Sequence, residues 1–210
     1  MSYVPIFHLT VPAVWVAVLL GALAASLMMR FVLGDKPGEW YGNAITLYIL
    51  IWKFSYILFN FDYFLDMPLS ILYFNGGLNG HLLGLAFVTG YLVLAQKKQA
   101  GLARQAPVAW LLFFLSYQTI LQSLENNWVE AALHGSLLAV SILAIRLLVK
   151  RADVPTGLML FLLFALELLI SSLSAPLLSW QNATVLLLAA VTIAMYNRFE
   201  KKRQINRAGT

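Results

Sequence analysis

Five ionisable side chains lie in apolar stretches of this sequence: Lys53, His81, Glu130, His134 and Glu167. A charge at mid-membrane depth costs about 2.5–3.5 kcal/mol on insertion scales, so each needs a partner and is a candidate for function. Lys53 is alone between Ile45 and Phe61. Lys53 and Glu167 each fall near the middle of an apolar segment, and the two segments run in the same direction. A buried Lys53–Glu167 ion pair is therefore expected, as a staple between two helices. The alternative is that Lys53 grips a lipid phosphate or carboxylate and Glu167 balances it. Glu130 and His134 are spaced i,i+4 and share a helix face. Together with His81 they make a candidate acid–base set, with His81 as general base. Two such ligands are a weak case for metal, and no phosphate loop, nucleophile elbow or metal signature is present. With no cysteine in the chain, disulfides, thiol chemistry and cysteine–metal sites are excluded. No cofactor is implied.

The elements that must carry these residues are transmembrane helices. Only 11% of the 210 residues are charged and 61% are hydrophobic, against about 25% charged in soluble proteins. The mean hydropathy is +0.79. Seven apolar segments, near 11–33, 43–61, 79–96, 106–124, 128–150, 155–174 and 178–198, approach the roughly 20 residues that cross a bilayer. The expected fold is an all-α polytopic helix bundle: one transmembrane domain over 1–198 and a basic tail over 199–210. The start of the chain lacks the basic n-region of a cleavable signal. Thirteen of the 14 lysines and arginines follow the odd-numbered segments, while Asp62, Asp66 and Glu125 follow the even ones. The positive-inside rule then puts the N-terminus outside and the C-terminus in the cytoplasm, and the basic tail against anionic headgroups rather than nucleic acid.

Residues 62–78 are too polar and too interrupted by Pro68 and Gly76-Gly77 to cross. They are expected at the outer face, as a short interfacial helix near 68–74 and a glycine turn that feeds His81 into the third span. Lys53, Tyr56, Asn79, Gln122 and Glu125 are the candidate lipid-binding residues. His81, Glu130 and His134 are expected to share an outer-leaflet cavity floored by Lys53.

Lys53-Phe-Ser-Tyr-Ile-Leu-Phe-Asn, followed by Met67-Pro-Leu-Ser-Ile-Leu-Tyr-Phe-Asn-Gly-Gly-Leu-Asn-Gly-His81, resembles bacterial prolipoprotein diacylglyceryl transferase. That family has seven spans and moves a diacylglyceryl group from phosphatidylglycerol to a lipobox cysteine. Its motif arginine falls on Lys53 and its histidine on His81. Val14-Trp15-Val16 is similar to its R-W-Y, and Glu130-Ala-Ala-Leu-His134-Gly to its Y-E-L-L-L-E-G. The match is densest over 50–95. Other family positions differ: a tyrosine falls on Val16, two arginines on Thr119 and Leu169, a glutamate on Asn127 and a late tyrosine on Ala165. The long outer head segment is missing. The resemblance implies a multi-pass protein of the bacterial inner membrane that binds a phosphatidylglycerol-like phospholipid. A lipoprotein or another membrane protein would be a further partner. With the catalytic set degraded, it reads as a pseudoenzyme; the alternative is a divergent active lipid-dependent transferase. A small transporter is a third reading, against which the spans show no paired broken helices.

Overall fold

A computed structural model describes residues 2–6, 9–34, 36–99, 101–149, 156–174, 176 and 179–208. Among them are nine helices and one two-stranded hairpin. Six helices are long and apolar enough to cross a membrane, so the chain is a multi-pass membrane protein. By contact clustering it divides into two compact units, Gly38–Leu102 and Met1–Pro37 with Ala103–Thr210.

In the larger unit the chain opens with strands β1 (Tyr3–Ile6) and β2 (Leu9–Pro12), antiparallel, with Val4 opposite Val11. The hairpin was not expected. Its β-branched residues suit a strand, but four residues are too few to show a period beside the long apolar run that follows. Helix α1 (Ala13–Leu33) has two stripes. Ala13, Ala17, Gly21 and Ala25 form a small-residue line at every fourth position, all of it buried, whereas Leu19, Leu23, Leu27 and Phe31 are exposed. Small residues let backbones approach closely where lipid supplies no hydrophobic drive between helices. At Gly21 the approach is closest: a Cβ there would stand 3.1 Å from the Tyr117 backbone of α6 (Leu102–Leu124). Gly34 ends α1 in the left-handed conformation, φ 75°, its N–H donating to the Arg30 carbonyl, as a C-cap glycine does.

Helix α6 supplies the core of this unit, with Ala106, Leu111, Leu112 and Leu115 fully buried. Pro107 lies inside it and removes one backbone donor. The turn to α7 (Trp128–Val149) is tight. Asn126 adopts φ 60° there, a conformation asparagine tolerates better than most residues, and the Asn127 N–H returns to the Gln122 carbonyl.

Helix α8 (Thr156–Ser171) packs on α7 and on α9 (Trp180–Ala208). The described part of α8 is about 24 Å long at 1.5 Å per residue, shorter than the other spans. Lys150 and Arg151, expected at the end of the fifth segment, lie outside the described residues. The 29-residue α9 continues helically through Lys201, Lys202 and Arg203, so the expected tail from 199 is an extension of the last span as far as Ala208.

The smaller unit is built on α2 (Glu39–Phe59) and α5 (Gly77–Ala95), packed along their lengths. Between them run two short helices, α3 (Phe61–Asp66) and α4 (Ser70–Tyr73), where one interfacial helix was expected. The residue before a proline disfavours helical dihedrals, and the chain is extended at Met67, φ −139° and ψ 80°, directly before Pro68.

Candidate functional site

In the smaller unit the polar residues gather where α2, α4 and the start of α5 meet. Gly76 donates its N–H to the Trp52 carbonyl at 2.9 Å. A methyl group on Gly76 or Gly80 would run into Ser55 Oγ. Glycine is therefore required at both positions for this close approach, and the approach carries His81 down the α2 surface. The Asn75 side chain accepts the Gly77 N–H at 2.9 Å, and Gly77 takes φ 58°, a left-handed step that glycine makes without strain. His81 is buried. Its Nδ1 lies 2.6 Å from the Tyr48 hydroxyl, and the two rings meet edge-on. Gly84, one turn on, lets the Tyr48 ring lie against α5.

Lys53 is half-buried, and its Nζ donates to the Leu72 carbonyl of α4 at 3.0 Å. The observed span, 39–59, starts four residues earlier than expected. Lys53 therefore stands six residues from its end, about 9 Å, and not at the middle. A lysine so placed can extend its ammonium towards the interface. Beside it, Tyr56, Tyr63, Met67, Leu69, Ser70, Tyr73 and Phe74 line a cavity of about 180 Å³. Tyr56 and Phe74 stack within it, centroids 5.8 Å apart. Asn79 is exposed.

In the larger unit, Glu167 of α8 and His134 of α7 are both wholly buried. His134 Nδ1 lies 2.9 Å from Glu167 Oε2. The Ser171 hydroxyl donates to Glu167 Oε1 at 3.3 Å, and the Gln118 amide reaches Ser171 Oγ at 3.5 Å. The partner expected for Glu167 was Lys53; the partner observed is the histidine of the neighbouring helix. Sequence depth alone could not choose between them, because depth says nothing about which helices are adjacent. The expected Glu130–His134 pairing along α7 also gives way to this bond between helices: His134 turns its Nδ1 to Glu167. Glu130 Oε2 has no hydrogen-bond partner among the described residues. Glu125, at the end of α6, accepts from the Ser2 hydroxyl at 2.8 Å. Gln122 is buried one turn earlier.

The candidate residues thus belong to two clusters. Lys53, Tyr56, Asn79 and His81 lie in the smaller unit, and Gln122, Glu125, Glu130, His134 and Glu167 in the larger. Tyr48, Ser171 and Gln118 complete the clusters without having been singled out as site residues. Tyr48 has the one sequence signal that could have found it, a polar-tipped ring in an apolar run. No group of three or more potential metal ligands occurs among the described residues. In comparisons with known proteins, no protein-family model, curated protein or solved structure matches this chain.

Proposed function

We propose that this membrane protein binds an anionic diacyl phospholipid at the α2–α4–α5 cluster, with the phosphate at Lys53 and part of an acyl chain in the adjoining apolar cavity. The observation that carries the reading is the placement of the Lys53 ammonium. It lies near the end of a span, held to the Leu72 carbonyl of α4, and Ser70 and Tyr73 of that helix line an aromatic-rich cavity of about 180 Å³. Aromatic side chains concentrate at membrane–water interfaces, and a lysine meets a phosphate as a point charge. The cavity is smaller than the 300–1,000 Å³ of small-molecule sites, which suits a segment of an acyl chain better than a whole substrate.

Binding without transfer is the favoured form of this reading. Where the Tyr48 hydroxyl donates to His81 Nδ1, the ring proton sits on Nε2. That edge then donates to an anionic oxygen and does not accept a proton as a base. The resemblance to prolipoprotein diacylglyceryl transferase supplies the lipid class, a phosphatidylglycerol-like headgroup. Thr119 and Leu169, standing where that family has arginines, argue against its reaction here. In the proposed orientation the N-terminus is outside, which sets the cluster at the outer leaflet of a bacterial inner membrane. A reporter fused after Thr210 then reads as cytoplasmic; periplasmic activity there would reverse the orientation.

The test is native mass spectrometry of the full chain after exchange into vesicles of phosphatidylglycerol or phosphatidylcholine. Retention of phosphatidylglycerol that is lost in Lys53→Met supports the reading. Equal retention of both lipids, unchanged by Lys53→Met, ends it. Complementation of a strain depleted of its own diacylglyceryl transferase is expected to fail; rescue dependent on His81 would establish the transferase instead.

A further inference from the structure

Three buried polar atoms without a hydrogen-bond partner among the described residues fall on one helix: Glu130 Oε2, His134 Nε2 and Ser141 Oγ, all on α7. At 100° per residue, positions 130, 134 and 141 lie within about 40° of one another around the axis, so the three form a single stripe. Glu130 is at the N-terminal end of α7, His134 one turn in and Ser141 about two turns further. His134 and Ser141 have no exposed surface at all. A buried polar group that finds no partner keeps the full penalty of leaving water. Three on one stripe are therefore an organised feature.

The dyad determines what the middle atom can do. With Nδ1 turned to the Glu167 carboxylate, the neutral imidazole carries its proton on Nδ1 and leaves the Nε2 lone pair as an acceptor on the other edge of the ring. Glu130 Oε2 presents acceptor capacity one turn away, and Ser141 a hydroxyl that rotates to donate or accept. The group that satisfies Nε2 must bring an O–H or N–H. Apart from Glu130 and His134, α7 carries one titratable group, Arg146, three turns away. The other titratable groups on the packed elements are Glu167 on α8, Arg30 in the last turn of α1, Arg104 and Tyr117 on α6, and Glu125 at the end of α6, which accepts from the Ser2 hydroxyl.

We propose that this stripe is a proton-binding path, in which water admitted beside Glu130 delivers a proton to His134 Nε2. A hydronium gives up one proton to the Nε2 lone pair and leaves as water. The resulting imidazolium is held against the Glu167 carboxylate, whose other oxygen accepts from Ser171. The proton leaves by the reverse step, so no other reactant is consumed. Glu167 is the positioning residue, setting the tautomer, and Glu130 is the relay at the mouth. The path lies wholly in the larger unit and stands whether or not the smaller unit binds lipid.

The test is magic-angle-spinning NMR of the full chain in lipid bilayers, with ¹⁵N-labelled histidine and His134 assigned by difference from His134→Gln. At high pH, unprotonated Nε2 and protonated Nδ1 are expected. On acidification Nε2 should take up a proton reversibly and exchange it with bulk water. Glu130→Gln should slow that exchange by about tenfold, the cost of one charge-assisted hydrogen bond in the relay. Ser141→Ala should slow it less. A His134 Nε2 that neither titrates nor exchanges with water in the folded wild-type protein would reduce the dyad to a structural staple and overturn the proposal. So would an exchange rate unchanged by Glu130→Gln, or one slowed more by Ser141→Ala.

Discussion

Two ionised side chains in apolar surroundings are accommodated in opposite ways by the two units. In Gly38–Leu102 the Lys53 ammonium stays half-buried, near the end of α2, and donates to a backbone carbonyl. In the larger unit the Glu167 carboxylate is fully enclosed and met by an imidazole and a hydroxyl from within the bundle. A flexible cation near a helix end can reach a backbone carbonyl or the interface by extending its stem. A short carboxylate has no such reach, so its partners are built in beside it, His134 on the neighbouring helix and Ser171 one turn along its own. The first arrangement keeps its group close to the end of the span. The second uses its group to hold another side chain in place.

The sharpest way to break this contrast is to remove His134. His134→Leu leaves Glu167 buried beside Ser171 alone, and loss of the hydrogen bond to its carboxylate is expected to cost about 1.5–3 kcal/mol, read as a fall in the thermal unfolding midpoint in detergent. His134→Leu with Glu167→Leu should recover most of it, because the stranded charge is gone. A single variant as stable as wild type would mean that the carboxylate is not buried as described.

A smaller effect tests the packing that carries His81. Gly80→Ala places a methyl group against Ser55 Oγ, with the Trp52 carbonyl 3.1 Å away, and overpacking of this kind costs about 1–3 kcal/mol. Ser55→Ala in the same chain should relieve part of the cost. An unchanged midpoint for Gly80→Ala would show that α2 and α5 are further apart.

The smallest stability effect is expected at Lys53. Lys53→Met removes the bond to the Leu72 carbonyl from a half-buried group, and a loss of about 1 kcal/mol is expected. In lipid exchange, however, the same variant should give the larger change of the two units. A loss near that of His134→Leu would show that Lys53 is a structural ion-pair partner after all.

The transmembrane character was legible in composition and hydropathy because a bilayer imposes segment length and apolarity one helix at a time. The two stripes of α1 are likewise a local periodicity, with Ala13, Ala17, Gly21 and Ala25 against Leu19, Leu23, Leu27 and Phe31. Composition also marked Lys53, Glu130, His134 and Glu167 as residues needing partners, since the cost of a charge in lipid does not depend on the fold. The choice of partner does depend on it. Hydropathy gives depth along a span but neither the neighbouring helix nor the rotation of a face. Glu167 could therefore be matched to a lysine at similar depth, when the packing of α8 on α7 delivers His134. The same limit hid the Tyr48–His81 contact, which depends on α2 and α5 closing over glycines. Residue chemistry set which side chains must be satisfied; only the packing of helix on helix decided what satisfies them.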